Sequence, residues 1–368
     1  MPNSPIDLQG LLASVVNDAI SADPGLQAAY PDGPPPTVAF AVAAVYVPPG
    51  GGPIQQASLF QGHPVSASTG AKLTLDADTT FEIGSTTKVF TTTLILQASE
   101  TAAGILTQPI SAYVGGLPTT IGALPVGHLL SYSSGLPADN VQAGDMPANQ
   151  TYPYEVETMM GYLNTTGVPV GPAGEFNYSN LGFALAALGV PAMVKSTASY
   201  EDLLLRMIRM DSLQMNSTSF FSNTAEVLNK LPSGQPPASP PRSPARSTWP
   251  AYDGAGGIVS TLNDLTTWLR FNMGLIPDCP LNSLLPLLQT PQPVKGKQVS
   301  YGWFLAHGPN RALCIWKNGE TGTASSYILF GSGVGVVILS NFTQFETFGG
   351  SVYWPLLARL SEPSSPPA

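Results

Sequence analysis

Histidine and cysteine are nearly missing from this 368-residue chain, at three and two residues, and charged side chains make up only 10% of it. His63, His128 and His307 stand far apart without ligand spacing, so no metal site and no cofactor is expected. Cys279 and Cys314 are too few for a disulfide framework; one bridge and two buried thiols stay equally open. Basic residues number 14 against 23 acidic ones, a net charge of −9, which argues against nucleic acid or an anionic membrane surface as partner. A small molecule or a short peptide fits better, and a monomer is the default. Long apolar runs are lacking too. The longest, Phe183 to Val194, is too short to span a bilayer and contains Gly189 and Pro191. Met1-Pro2-Asn3-Ser4-Pro5 has neither a basic n-region nor an apolar h-region, which leaves a cytoplasmic protein and prior removal of a signal peptide both open.

What the chain has in quantity is glycine and proline, 37 of each. Long apolar segments persist between them, so the pattern is that of a loop-rich globule rather than a disordered chain. Leu8, Leu11, Leu12, Val15, Val16 and Ile20 recur at helical spacing, which predicts an N-terminal helix over Ile6 to Ser21. Thr37 to Val47 reads as a buried strand and Ile54 to Phe60 as its antiparallel partner across the Pro48 to Pro53 turn. From Ser85 to Ala103 there is neither Pro nor Gly, which predicts a long helix opening at Ser85. Further helices are expected at Leu181 to Leu188, Tyr200 to Met210 and Leu262 to Met273, the last capped by Ser260-Thr261. Pro232 to Pro250 is a proline-rich surface loop. Strand patterns return at Val299 to His307, Arg311 to Lys317, Ser325 to Phe330 and Gly335 to Asn341, before a closing helix over Phe345 to Leu360.

Strands at both ends and helices in the centre predict an α/β (α+β) chain: a discontinuous sheet domain from 1–84 and 296–368, and a mainly helical domain, 85–295, inserted into it. Five Asn-x-Ser/Thr sequons, at Asn149, Asn164, Asn177, Asn216 and Asn341, are weak glycosylation signals in a chain this rich in Ser and Thr.

Three short motifs carry the chemistry: Ser85-x-x-Lys88, Tyr178-Ser179-Asn180 and Lys317-Asn318-Gly319. On a helix, a hydroxyl and an amine three positions apart share a face, so Lys88 can reach Ser85 and take its proton without a histidine. A lysine with an ordinary pKa is protonated at neutral pH; bringing Lys88 toward 7 requires roughly 4–5 kcal/mol, which burial and the nearby charge of Lys317 can supply. Tyr178 is suited to hold or relay a proton to the leaving group. Ser85 at a helix start offers a free backbone N–H to a developing oxyanion. Gly-x-Ser-x-Gly does not occur at a strand-to-helix turn, which disfavours the α/β-hydrolase fold.

The order and surroundings of these motifs resemble the serine hydrolases that include class C β-lactamases, low-molecular-mass DD-peptidases and related esterases. Phe81 to Lys88 is similar to their nucleophile segment, Leu129 to Pro137 to "LLxHTSGLP", and Phe176 to Gly182 to "YSNxG". Ala255 to Leu265 is similar to "AGGLxSTxxDL", and Lys317 to Gly322 to "KTGxTG". The resemblance implies an antiparallel sheet of about five strands flanked by helices, with the active site between sheet and helical domain. It implies that Ser85, Lys88 and Tyr178 are catalytic. It further implies that Asn180 grips the substrate amide, that the edge strand after Lys317 pairs with the acyl side chain, that Lys317 attracts a substrate carboxylate, and that the N–H of Glu320 joins that of Ser85 as oxyanion donor. A secreted or periplasmic location goes with it. Two positions depart from the pattern, Asn318 where Thr is usual and the acidic Glu320. The Glu-x-x-Leu-Asn deacylation motif of class A is missing, since Glu226-Val227-Leu228-Asn229 is one residue short. The expected activity is acylation of Ser85 by an amide such as a β-lactam or a D-amino-acid peptide. A carboxylesterase or transesterase, and a non-catalytic penicillin-recognising sensor that stays acylated, are the alternatives.

Overall fold

The computed structural model describes residues 6–139, 154–221, 227, 230–234, 250–308, 311–343 and 347–361. Strands β1 (Phe40–Tyr46), β2 (Gln55–Gln61), β3 (Phe81–Glu82), β4 (Ser219–Phe220), β5 (Ile258–Ser260), β6 (Phe304–His307), β7 (Leu313–Glu320), β8 (Ser325–Gly331) and β9 (Val334–Ser340) form two sheets. The large one is antiparallel and six-stranded, in the order β2-β1-β9-β8-β7-β6, where about five strands were expected. The small one, β3-β5-β4, was not anticipated. Its strands are two or three residues long, too short to show an alternation in sequence.

The principal helices are α1 (Leu8–Ala22), α2 (Thr87–Thr101), α3 (Asn180–Met193), α4 (Tyr200–Ile208), α5 (Leu262–Asn272) and α6 (Phe348–Ser361). α5 begins at a Thr261 cap whose hydroxyl accepts from the Asp264 N–H. α3 runs past Leu188, where the sequence suggested a stop, because Pro191 falls in its last turn and removes only one ladder bond there.

Every residue of β1 is buried, and its side chains divide by parity as a two-faced strand requires. Ala41, Ala43 and Val45 join the core shared with the central helices; Phe40, Val42, Ala44 and Tyr46 join a second core beneath α1 and α6. The two chain ends thus cover one face of the sheet and the central residues cover the other. Both cysteines are buried free thiols, which removes the disulfide alternative. Of the sequons, Asn341 is buried and its amide spans Ala39, Thr37 and Ser233, so it is no glycan acceptor. Asn149, most of Pro232 to Pro250 and most of Glu226 to Asn229 lie outside the described residues. Among the described residues no helix is long and apolar enough to cross a membrane.

Candidate active site

Ser85 does not open α2. It sits in a 3₁₀ turn, Gly84–Thr86, and the α-helix begins two residues later at Thr87. Gly84 has φ +47°, and a Cβ there would lie 2.7 Å from the Glu320 carbonyl oxygen. Across the contact, a Cβ on Gly319 would meet the Ile83 carbonyl oxygen at 1.8 Å and the Ser85 nitrogen at 2.8 Å. Two glycines therefore let β7 press its backbone against the serine turn. β8 ties the turn down from the side, with Ser326 Oγ donating to the Ile83 carbonyl and bonding Thr86 Oγ1, both at 2.8 Å.

One helical turn on, Lys88 is fully buried, and its Nζ lies 2.9 Å from Ser85 Oγ, 2.6 Å from Asn180 Oδ1 and 2.7 Å from the Ala255 carbonyl oxygen. Burial drives its pKa well below that of an ordinary lysine; the charge of Lys317 pushes the same way, and Asp139 opposes. A neutral amine has two N–H donors and one lone pair. In that form the oxygens of Asn180 and Ala255 would accept both donors and the lone pair would face the Ser85 hydroxyl.

Tyr178 completes the set from the loop before α3, its O–H donating to Ser85 Oγ at 2.5 Å. Burial raises its pKa, so the phenol is the form present at neutral pH and acts as a donor. Tyr132 stacks on its ring at 5.3 Å between centroids and 15° between planes. Tyr132 is itself anchored by its O–H to the Gly302 carbonyl at 2.8 Å, and holds a left-handed φ of 57°, a conformation costing a non-glycine residue about 1–2 kcal/mol. Asn180, the first residue of α3, donates from Nδ2 to Asp139 Oδ1 at 3.0 Å.

The β7 residues are placed less uniformly. Lys317 is fully buried on the face toward Tyr178 and Phe304, 5.4 and 4.7 Å from their ring centroids, and donates to the Asn318 carbonyl at 2.8 Å. Burial, and then Lys297, lower its pKa to about 7. Asn318 falls on the opposite face of the strand and, like Lys317, does not line the cavity above Ser85. Glu320 does line it. β7 is not the outermost strand, as expected for the segment after Lys317, because β6 lies beyond it. β6 pairs only with Leu313 to Trp316, however, so among the described residues no strand covers Lys317 to Gly319 on that side. The cavity is about 370 Å³, and Ser85, Asn180, Ala255 and Gly256 are among the residues that line it.

Sequence reasoning quoted the segments of Tyr132 and Ala255 for their resemblance but gave those residues no role. A stacking partner and a backbone carbonyl carry no signature of their own in a linear chain. Asp139 and Asp253, both on the cavity wall, belong to none of the motifs singled out in the sequence.

The sequence profile of the family described as Beta-lactamase matches residues 27–354. The chain belongs to the beta-lactamase family. A curated relative is "Protein flp" of Staphylococcus aureus (strain MW2), 24% identical over 286 residues, covering 74% of this chain and 55% of that protein. The protein of the same name in strain NCTC 8325 / PS 47 is 23% identical over 287 residues, with the same coverage. The chain thus spans about half the length of these curated relatives. Among solved structures, a class C beta-lactamase superposes with a TM-score of 0.77 at 20% identity, over 99% of both chains. The beta-lactamase/D-alanine carboxypeptidase from Pseudomonas syringae gives 0.75 at 20% identity, over 97% of this chain and all of that one. An octameric penicillin-binding protein homologue from Pyrococcus abyssi gives 0.73 at 20% identity, over 97% of this chain and 78% of that one. At such identities the likeness is one of fold. The fold is the beta-lactamase fold.

Proposed function

We propose that this beta-lactamase-family protein is a serine hydrolase that forms an acyl-enzyme at Ser85, on amide bonds of the kind found in β-lactams or D-amino-acid peptides. The observation that carries this reading is Ser85 Oγ held between Lys88 Nζ at 2.9 Å and the Tyr178 hydroxyl at 2.5 Å, at the wall of an open cavity. Solved proteins of the same fold include a class C beta-lactamase and a beta-lactamase/D-alanine carboxypeptidase, which agrees with that substrate class.

In this mechanism neutral Lys88 takes the Ser85 proton as Oγ bonds to the substrate carbonyl carbon. The carbonyl oxygen becomes the oxyanion, facing the Ser85 N–H in the 3₁₀ turn before α2 and the N–H of Glu320 at the end of β7. As the C–N bond breaks, Tyr178 gives its proton to the leaving nitrogen and regains one from the Lys88 ammonium. Water then attacks the acyl carbon, its proton passing to Tyr178 and Lys88, and the carboxylic acid departs as Ser85 is reprotonated.

An esterase or transesterase on the same acyl-enzyme is the second reading. It is favoured by the burial of Lys317 away from the cavity, which leaves a β-lactam carboxylate without that cation. Incubation with a β-lactam and with p-nitrophenyl acetate, followed by turnover and intact mass, separates these readings. An adduct on Ser85 that is lost in Ser85→Ala supports the mechanism. Ester turnover unchanged in Ser85→Ala, with no adduct, overturns it. A permanent adduct selects the acylated sensor.

A further inference from the structure

We propose that the Ser85 cavity selects acyl donors that carry a positive charge, a primary ammonium group above all, near the scissile carbonyl. This inference rests on the acylation of Ser85 proposed above and names the substrates that site takes.

Four carboxylates line the cavity, those of Glu82, Asp139, Asp253 and Glu320, and no Lys, Arg or His is among its described lining residues. The chain has 23 acidic residues in 368, so thirteen lining positions drawn at random would carry about one. The two lysines nearby do not offset this charge toward a ligand. Lys88 and Lys317 are both fully buried; the Nζ of one is enclosed by Ser85, Asn180 and Ala255, and the other donates to the Asn318 carbonyl. A concave wall of one sign concentrates the opposite ion and repels its own.

The carboxylates also differ in what already holds them. Asp139 accepts from Asn180 Nδ2, and Glu82 accepts from the hydroxyls of Thr321 and Thr323. Asp253 begins the short helix Asp253–Gly256, two residues before the Ala255 carbonyl that accepts from Lys88, and no hydrogen-bond donor among the described residues reaches its carboxylate. Its carboxylate therefore has acceptor capacity to offer at the wall it shares with Ser85. Burial, and then the charges of Glu201 and Glu155, lift its pKa to about 8, which favours a proton there unless a cation is near. A ligand ammonium replaces that proton with a charge, and the carboxylate becomes its counter-ion. An anionic donor meets the opposite situation on every side of the cavity.

The test uses Ser85→Ala protein, which cannot turn substrate over, and three ligands that differ only at one nitrogen: D-alaninamide, N-acetyl-D-alaninamide and N-succinyl-D-alaninamide. Titration calorimetry is expected to show the ammonium form binding about tenfold tighter than the acetylated one and the succinylated one weakest, with the preference shrinking at high salt. Asp253→Asn, and separately Glu320→Gln, should each reduce the preference several-fold while the circular dichroism spectrum is unchanged. Equal or inverted affinities, no binding of any of the three, or a preference intact in both variants would overturn the proposal. Hydrolysis of uncharged p-nitrophenyl acetate by the wild-type protein and Ser85→Ala reports on the nucleophile separately, so failure of charge selection and failure of the acyl-enzyme reading are told apart.

Discussion

Asn180 Oδ1 lies 2.6 Å from Lys88 Nζ, closer than Ser85 Oγ at 2.9 Å, and the same carboxamide donates to Asp139 at 3.0 Å. The amide thus orients the lysine while keeping the Asp139 charge one group away from it. A carboxylate in the amide's place would undo that separation.

Asn180→Asp is therefore expected to raise the pKa of Lys88, because an adjacent negative charge favours the ammonium. The base works only when neutral, so its activity is lost as pH falls through its pKa. The acid limb of the kcat/KM profile should move up by about one pH unit or more, with activity at pH 7 reduced about tenfold and recovered on raising the pH. A limb that does not move removes Lys88 as the base.

Lys317 offers a test of stability. Its pKa is about 7 when folded, against an ordinary lysine value when unfolded, so between those values the unfolded chain binds more protons and stability rises with pH. The penalty is fully present below pH 7 and vanishes above the unfolded value. Lys317→Met should consequently stabilise the protein by about 2–4 kcal/mol near pH 6, and the gain should fade above about pH 10. The same change removes a cation that depresses Lys88, so the acid limb of activity should move to higher pH. Urea melts across this range, with kcat/KM profiles alongside, read both effects.

The sequence made the sheet and the serine group legible for different reasons. β1, β8 and β9 are runs of apolar residues that only a strand buried on both faces requires, and they were located to within about three residues. Ser85, Lys88, Tyr178 and Asn180 were legible because their side chains sit in motifs whose order and surroundings resemble those of a known family. Asp253, Tyr132 and the Ala255 carbonyl were not, since their roles come from position in space. Helix boundaries shifted where one residue decides them: Gly84, with its positive φ, turns the chain into a 3₁₀ segment before α2 can begin. The outward position of Asn318 followed from strand alternation but was masked by reading the β7 motif as a unit.

Gly319→Ala should damage structure and activity together. The new methyl group would fall 1.8 Å from the Ile83 carbonyl oxygen, and both partners are backbone, so β7 must retreat from the serine turn. A loss of about 1–3 kcal/mol in stability is expected, with kcat falling more than KM rises because the Ser85 and Glu320 N–H groups separate. Thermal melts and steady-state kinetics on p-nitrophenyl acetate measure the two; full activity would show that this close approach is not needed for catalysis.

Both thiols should be inert in the native protein. Cys279 and Cys314 are buried and unbridged, and burial pushes the Cys314 thiol up to about 12. A disulfide-exchange reagent such as DTNB should titrate neither under native conditions and both after denaturation without reductant. Fewer than two thiols in the denatured protein would indicate a bridge.

Tyr178→Phe isolates one hydroxyl. The ring keeps its stack on Tyr132 at 5.3 Å, while the donor to Ser85 Oγ is lost, so the fold should be nearly unaffected and the proton transfers should not. kcat is expected to fall by about 10²–10⁴, the range for loss of a positioned acid–base group. The two half-reactions divide the roles further. With p-nitrophenyl esters the leaving phenolate needs no proton, so acylation should suffer less than with an anilide, whose nitrogen must be protonated as the bond breaks. Deacylation, which moves the water proton, should slow for both substrates. A variant equally slow in acylating from ester and anilide would place Tyr178 with Lys88 as part of the base, and the proton given to the leaving group would then come from elsewhere.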